Sequence, residues 1–135
     1  MVKSNTVYKG QKHCQLTHEP SGSVIETDAP KDNQGLGQKF SPTDLVGAAL
    51  ASCILTTIAI VAERDGLSIE GSRCEVEKEM VVQPQRRIGS LSVVVTLPAA
   101  LTDVVRKKLE RVALQCPVHQ SLHPDVQIPM RFEYQ

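Results

Sequence analysis

The run SPTDLVGAALASCILTTIAIVAERDG, Ser41 to Gly66, decides how the rest of the chain must fold. Ser41 is a good N-cap residue, Pro42 suits the first helical position, Asp44 completes a capping-box-like spacing, and Gly66 is a natural C-terminal stop. The pattern predicts one long helix. Between Leu45 and Ala62 no residue is charged on any face, so the helix has to be enclosed by protein or by lipid. That run sits at the lower edge of the roughly 20 residues a bilayer span needs. It is diluted by Gly47, Ser52, Thr56, Thr57 and alanines and lacks a basic flank or aromatic belt, which argues for enclosure by protein. Cys53 lies in its middle.

Upstream, Thr6 to Tyr8, Cys14 to Thr17 and Ser23 to Thr27 read as short strands of a meander, separated by Lys9-Gly10 and Glu19-Pro20-Ser21-Gly22. Asp28 to Lys39 is a Gly/Pro/Asn/Asp connection, expected to be flexible, that leads into the helix. Downstream, Ile69 to Val82 and Ile88 to Leu97 form the arms of a hairpin around Gln83-Pro84-Gln85-Arg86-Arg87. Leu91, Val93, Val95 and Leu97 alternate along the second arm and mark a buried face. Glu75, Glu77 and Glu79 alternate along the first and read as its solvent face rather than as a carboxylate metal site.

Thr102 caps a second helix with Leu101, Val105, Leu109, Val112 and Cys116 at helical spacing. Pro117 ends it and starts a new turn with Cys116 at or near its beginning. Val126 to Tyr134 alternates as a last strand, with Pro129 marking an edge or a bulge. Three strands, a long helix, a hairpin, a helix and a strand make an α+β chain with predominantly antiparallel pairing.

Lysine plus arginine and aspartate plus glutamate balance at 15 each, which gives no basic surface for nucleic acid and no acidic tail. Two Phe, two Tyr and no Trp leave an aliphatic core that is light for a monomer, so a homodimer sharing the central helix is expected. The first residues, MVKSNTVYKG, lack the apolar segment of a secretory signal. A cytoplasmic location and reduced thiols are therefore expected for the four cysteines. Cys14 and Cys74 sit in strand-like segments without a chemical companion and read as small buried hydrophobes. On position alone, Cys53 and Cys116 serve equally as packing residues or as reactive thiols.

The pairing of SPTDLVGAALASC, Ser41 to Cys53, with LQCPVH, Leu114 to His119, resembles the OsmC/Ohr family of thiol-dependent hydroperoxide reductases. The order of elements resembles that family over essentially the whole chain. The resemblance implies a single domain over residues 1–135, with antiparallel β-sheets wrapped around long central helices in an intertwined homodimer and a site at the dimer interface. It also implies that Cys53 matches the peroxide-attacking cysteine and Cys116 the resolving one. The partners would then be a small organic hydroperoxide and a dithiol or thioredoxin-like reductant; no cofactor, membrane or nucleic acid is expected. The apolar neighbours Val46, Ala49, Leu50 and Ile54 suit the alkyl part of such a peroxide.

The chain also departs from the family. An attacking cysteine in apolar surroundings needs a cation or strong donors, and Cys53 lies beyond the one-turn reach of the helix dipole. The family uses an arginine from the N-terminal β-region, held by a glutamate near the helix start. Here no arginine precedes Arg64, and Thr43 occupies the glutamate position with Asp44 beside it. Arg86 and Arg87 are candidate replacements, with Asp44 as orienting carboxylate; Lys12, Lys39 and His119 are poorer ones, because an ammonium cannot reproduce a planar bidentate donor. Two other readings stay open. One is a dimer of the same fold that binds a small molecule or senses thiol oxidation without turnover. The other is a zinc site built from the Cys116-x2-His119-x3-His123 spacing.

Overall fold

A computed structural model describes Met1–Gln135, and the chain forms two compact units, Met1–Val46 and Gly47–Gln135, whose boundary falls within the long helix. In the first unit, β1 (Ser4–Gly10), β2 (His13–His18) and β3 (Val24–Asp28) pair antiparallel in chain order. β1 and β2 outrun the stretches their side chains suggest, because the backbone ladder decides where a strand ends. The β1–β2 turn runs through three successive residues with positive φ, Gly10, Gln11 and Lys12.

The connection after β3 is tied down rather than flexible. Ala29 N–H donates to the Lys12 carbonyl, Gly37 N–H to that of Ala29, and Asp28 N–H to that of Phe40. Gly35 is required there, since a Cβ would lie 1.7 Å from the Ala29 carbonyl oxygen. His13 clamps the same region: Nδ1 is 2.7 Å from Asp28 Oδ1 and Nε2 is 3.1 Å from Glu26 Oε1. The other carboxylate oxygen of Asp28 accepts the Gln38 N–H at 3.0 Å, and Lys39 Nζ stands 3.6 Å from Glu26.

The long helix, α1 (Pro42–Arg64), has both ends closed as expected. Ser41 N–H donates to Asp44 Oδ2 at 2.9 Å and Asp44 N–H to Ser41 Oγ at 3.0 Å, a capping box with aspartate in place of glutamate. At the other end Gly66 has φ +73°. Leu67 N–H reaches the Ala62 carbonyl and Gly66 N–H that of Glu63, a Schellman closure. At 23 residues, with an 18-residue stretch of mean hydropathy 2.3, α1 is long and apolar enough to cross a membrane by length and composition. One stripe of it, Gly47, Leu50, Ile54, Ile58 and Ala62, is buried within the fold.

In the second unit, β4 (Arg73–Val81) and β5 (Arg87–Leu97) form the expected hairpin, its first arm starting at Arg73 rather than Ile69 because a turn with Ser72 N–H on the Ile69 carbonyl precedes it, and β6 (Met130–Tyr134) lies on the far side of β5. β5 is therefore central, and Leu91, Val93, Val95 and Leu97 are each no more than 2 % exposed. Glu75, Glu77 and Glu79 face solvent. β6 pairs parallel to β5, unlike every other pair, because α2 (Asp103–Ala113) and α3 (Pro117–Ser121) carry the chain back across before it rejoins the sheet. The strand is shorter than its alternation suggests. Pro129 has no N–H to give, and upstream of β6 only an isolated bridge joins Gln127 to Ser90. The second helix ends at Ala113 rather than Cys116, and Thr102 Oγ1 caps its start by accepting Val105 N–H.

Two outcomes are expected. Ser41→Ala removes a side-chain acceptor from a buried helix start and costs about 1 kcal/mol in urea unfolding, with m unchanged. The His13 hydrogen bonds, chiefly that to Asp28, raise the His13 pKa from 6.5 and lower those of Asp28 and Glu26 from 3.8 and 4.5. The histidine contribution is full below pH 6.5 and disappears as pH rises through the raised value. The carboxylate contribution is full above pH 4.5 and disappears as pH falls through the lowered ones. Amide protection in β2 and β3 should therefore peak between these limits, and His13→Gln should flatten its decline on the alkaline side.

Candidate active site

The burial of α1 determines where Cys53 points. Leu50 and Ile54, on either side of it in sequence, are fully buried, and at about 100° per residue Cys53 falls on the flank of their stripe. Its side chain is accordingly half-buried. The second thiol arrives through turn chemistry. After α2 the chain makes one more tight turn, with Gln115 N–H on the Val112 carbonyl and Cys116 N–H on that of Ala113. Pro117, at the first helical position of α3, holds Cys116 in an extended conformation at φ −60° and ψ 137° as the N-cap. Cys116 Sγ accepts the His119 N–H at 3.3 Å, and the residue is fully buried.

The two thiols influence one another, Cys53 acting to raise the Cys116 pKa. Burial, above all, pushes the Cys116 thiol pKa up; negative charge on Cys53 acts in the same direction, against the His119 and Val118 N–H groups. Cys116 is thus held protonated. Cys53 is half-buried, whereas Cys116 is sealed from solvent and keeps its proton. Such a pair can form a sulfenic acid at the outer sulfur and condense it to a disulfide at the inner one.

The supporting candidates occupy separate places. Thr43 and Asp44 lie in the first turn of α1, where Thr43 Oγ1 is 3.2 Å from Ser41 Oγ and Asp44 belongs to the capping box. Arg86 lies in the β4–β5 connection. Arg87 begins β5, and its Nη1 donates to the Ile88 carbonyl at 3.2 Å. Lys12 sits in the β1–β2 turn and Lys39 beside Glu26. His119 serves Cys116 through its backbone. The residue also lines a pocket of about 300 Å³ with His123, Leu122, Pro124, Val126 and Ile128. The spacing of Cys116, His119 and His123 does not place them on one helix face, since α3 ends at Ser121, and His123 Nδ1 accepts the Asp125 N–H.

Cys74 occupies the inward parity of β4, opposite Val95. Burial pushes its thiol pKa up to about 11, helped by the charges of Cys116 and Glu75. The outward alternation of Glu75, Glu77 and Glu79 is the signal that puts Cys74 on the inner face.

Comparison with known proteins points the same way for the fold. Residues 35–131 match the model of the family described as OsmC-like protein. A solved structure of a putative osmotic stress induced and detoxification response protein from Psychrobacter arcticus 273-4 is 40% identical, with 98% of this chain and 96% of that chain covered and a TM-score of 0.93. The organic hydroperoxide resistance protein OhrB of Bacillus subtilis shares the fold at 18% identity, covering 98% of both chains with a TM-score of 0.71. The uncharacterized protein YmaD of Bacillus subtilis (strain 168) is 24% identical over 136 residues, 96% of this chain and 89% of its own length. The family match covers most of the chain and the P. arcticus relative nearly all of it, so the chain belongs to the OsmC-like protein family.

Proposed function

We propose that the protein is a thiol-dependent peroxidase that reduces organic hydroperoxides to alcohols. The observation that carries this reading is the presence of a half-buried Cys53 and a buried, protonated Cys116 whose thiols influence one another. The Cys53 thiolate attacks the outer oxygen of the peroxide, the O–O bond breaks, and the alkoxide leaves as alcohol after taking a proton. Cys53 is left as sulfenic acid. Cys116 then attacks that sulfur, water leaves, and the disulfide forms before further oxidation can make the change irreversible. A dithiol or thioredoxin-like reductant restores both thiols by exchange. The buried Leu50 and Ile54 beside Cys53 favour an alkyl peroxide over hydrogen peroxide, because desolvating the alkyl part is favourable.

The same reading makes the working unit a cytoplasmic homodimer and one OsmC-like domain. The family match runs across the boundary between the two units, and Ala48, Ala49 and the half-exposed Ile60 leave apolar surface on α1 for a second copy to cover. A binding or redox-sensing dimer without turnover is the second reading. It is favoured by the lack of any arginine before Arg64 and by Thr43 at the position of the family's glutamate.

Cumene hydroperoxide added to reduced protein should remove about two of the four thiols per chain and link Cys53 to Cys116. Unchanged thiols would select the second reading. Cys53→Ser should lower turnover about 10³-fold or more, as loss of a nucleophile does. Cys116→Ser should reduce a single charge of peroxide and then trap sulfenic acid at Cys53, detectable as a dimedone adduct. Full activity in Cys53→Ser would overturn the assignment of roles.

A further inference from the structure

The second unit carries a cavity of about 440 Å³ where α2 meets the edge strand β6, lined by Lys107, Glu110, Arg111, Leu114, Met130 and Phe132. Its volume falls in the range of about 300–1,000 Å³ that small-molecule sites occupy. No cysteine lines it, so a ligand held there is recognised rather than oxidised or reduced, and the site does not depend on the peroxidase reading. Lys107, Glu110, Arg111 and Leu114 follow one another at helical spacing and share one face of α2, with Leu114 as its C-cap. Met130 and Phe132 share one face of β6, in register with Val93 and Val95 of β5. Two residues along a strand set them about 7 Å apart.

The charges in this lining are not equivalent. Glu110 is tied down, because its Oε1 accepts the Tyr134 hydroxyl at 2.6 Å. The Tyr134 ring in turn lies against Arg106, whose Cζ is 4.0 Å from the ring centroid and whose Nη2 donates to the Ala99 carbonyl at 2.6 Å. Lys107 and Arg111 are exposed, and no ion pair or hydrogen bond within the chain engages either side chain. Two free cations against one engaged carboxylate leave the polar side of the cavity positive, beside an apolar side made of Leu114, Met130 and Phe132.

We propose that this cavity binds a small arylalkyl carboxylate. The carboxylate bridges Lys107 and Arg111, one helical turn apart, with the guanidinium as a planar two-point donor. The aromatic ring lies against Phe132 and the thioether of Met130, contacts that favour a ring over a plain alkyl chain of similar size. Leu114 covers it from the helix side. Burial of the ring supplies the affinity, and the charges set its direction: a neutral head gains nothing from the two cations, and a cationic head is repelled by both.

The test titrates phenylbutyrate into the full-length reduced protein and follows amide and methionine methyl resonances by NMR. Saturable shifts should concentrate on Lys107, Glu110, Arg111, Leu114 and the Met130 methyl group. Phenylbutyramide, which keeps the ring and lacks the charge, should bind about tenfold more weakly. Hexanoate, which keeps the charge and lacks the ring, should bind about fivefold more weakly. Lys107→Gln and Arg111→Gln should each weaken phenylbutyrate about threefold, whereas Glu110→Gln should tighten it about twofold. Leu114→Ala should weaken it about fivefold through lost apolar contact. An unchanged spectrum away from α2 and β6 shows that each variant is folded. Equal affinity for the amide or for hexanoate, no loss in either cation variant, shifts centred elsewhere in the chain, or no saturable shifts would each overturn the proposal.

Discussion

The apolar surface of α1 is the constraint on which the rest of the second unit depends. A helix without a charged residue from Leu45 to Ala62 cannot be left to water, and the fully buried Leu50, Ile54 and Ile58 each contribute about 2 kcal/mol of burial. The central strand β5 offers the matching surface, with Leu91, Val93, Val95 and Leu97 turned inward. Packing one helix stripe in this way fixes the roll of α1 about its own axis. The position of Cys53, on the flank of that stripe, is therefore a by-product of core packing and needs no separate device.

Cys116 is placed by different means. No long element carries it; a proline forces the chain out of helical geometry for one residue, and that residue becomes an N-cap whose sulfur takes the His119 N–H. Its position is thus held by backbone hydrogen bonds and by complete burial. One sulfur thus sits on a long helix and the other on a turn held by backbone hydrogen bonds. The asymmetry in exposure between them divides the proposed labour: the accessible thiol meets the oxidant and the sealed one keeps its proton until it is needed.

Much of this was legible in the chain. Ser41, Pro42, Asp44 and Gly66 marked both ends of α1, and the capping box and Schellman closure bear them out. Alternation located β4 and β5, and Thr102 located the start of α2. The misplaced details share one origin. The apolar spacing through Val112 and Cys116 continues past the point where the backbone leaves the helix, and the alternation from Val126 continues past the point where regular pairing with β5 is possible. Side-chain periodicity reports which face is buried, whereas hydrogen-bond partners decide where an element stops. The connection after β3, rich in loop residues, is ordered by bonds to His13, Lys12 and Phe40, none of which local composition announces.

By itself, the sequence determined the secondary-structure plan, the α+β class and the two motifs that carry Cys53 and Cys116, because these depend on neighbours within a few residues: caps, proline, glycine and periodicity. Only the tertiary structure decided that β6 enters parallel and that Cys116 is sealed from solvent while Cys53 stays half-buried. Those facts depend on how a crossover of two helices returns to the sheet and on which faces then meet. Such pairings join residues as far apart as Val95 and Phe132, and no pattern local to either one encodes them.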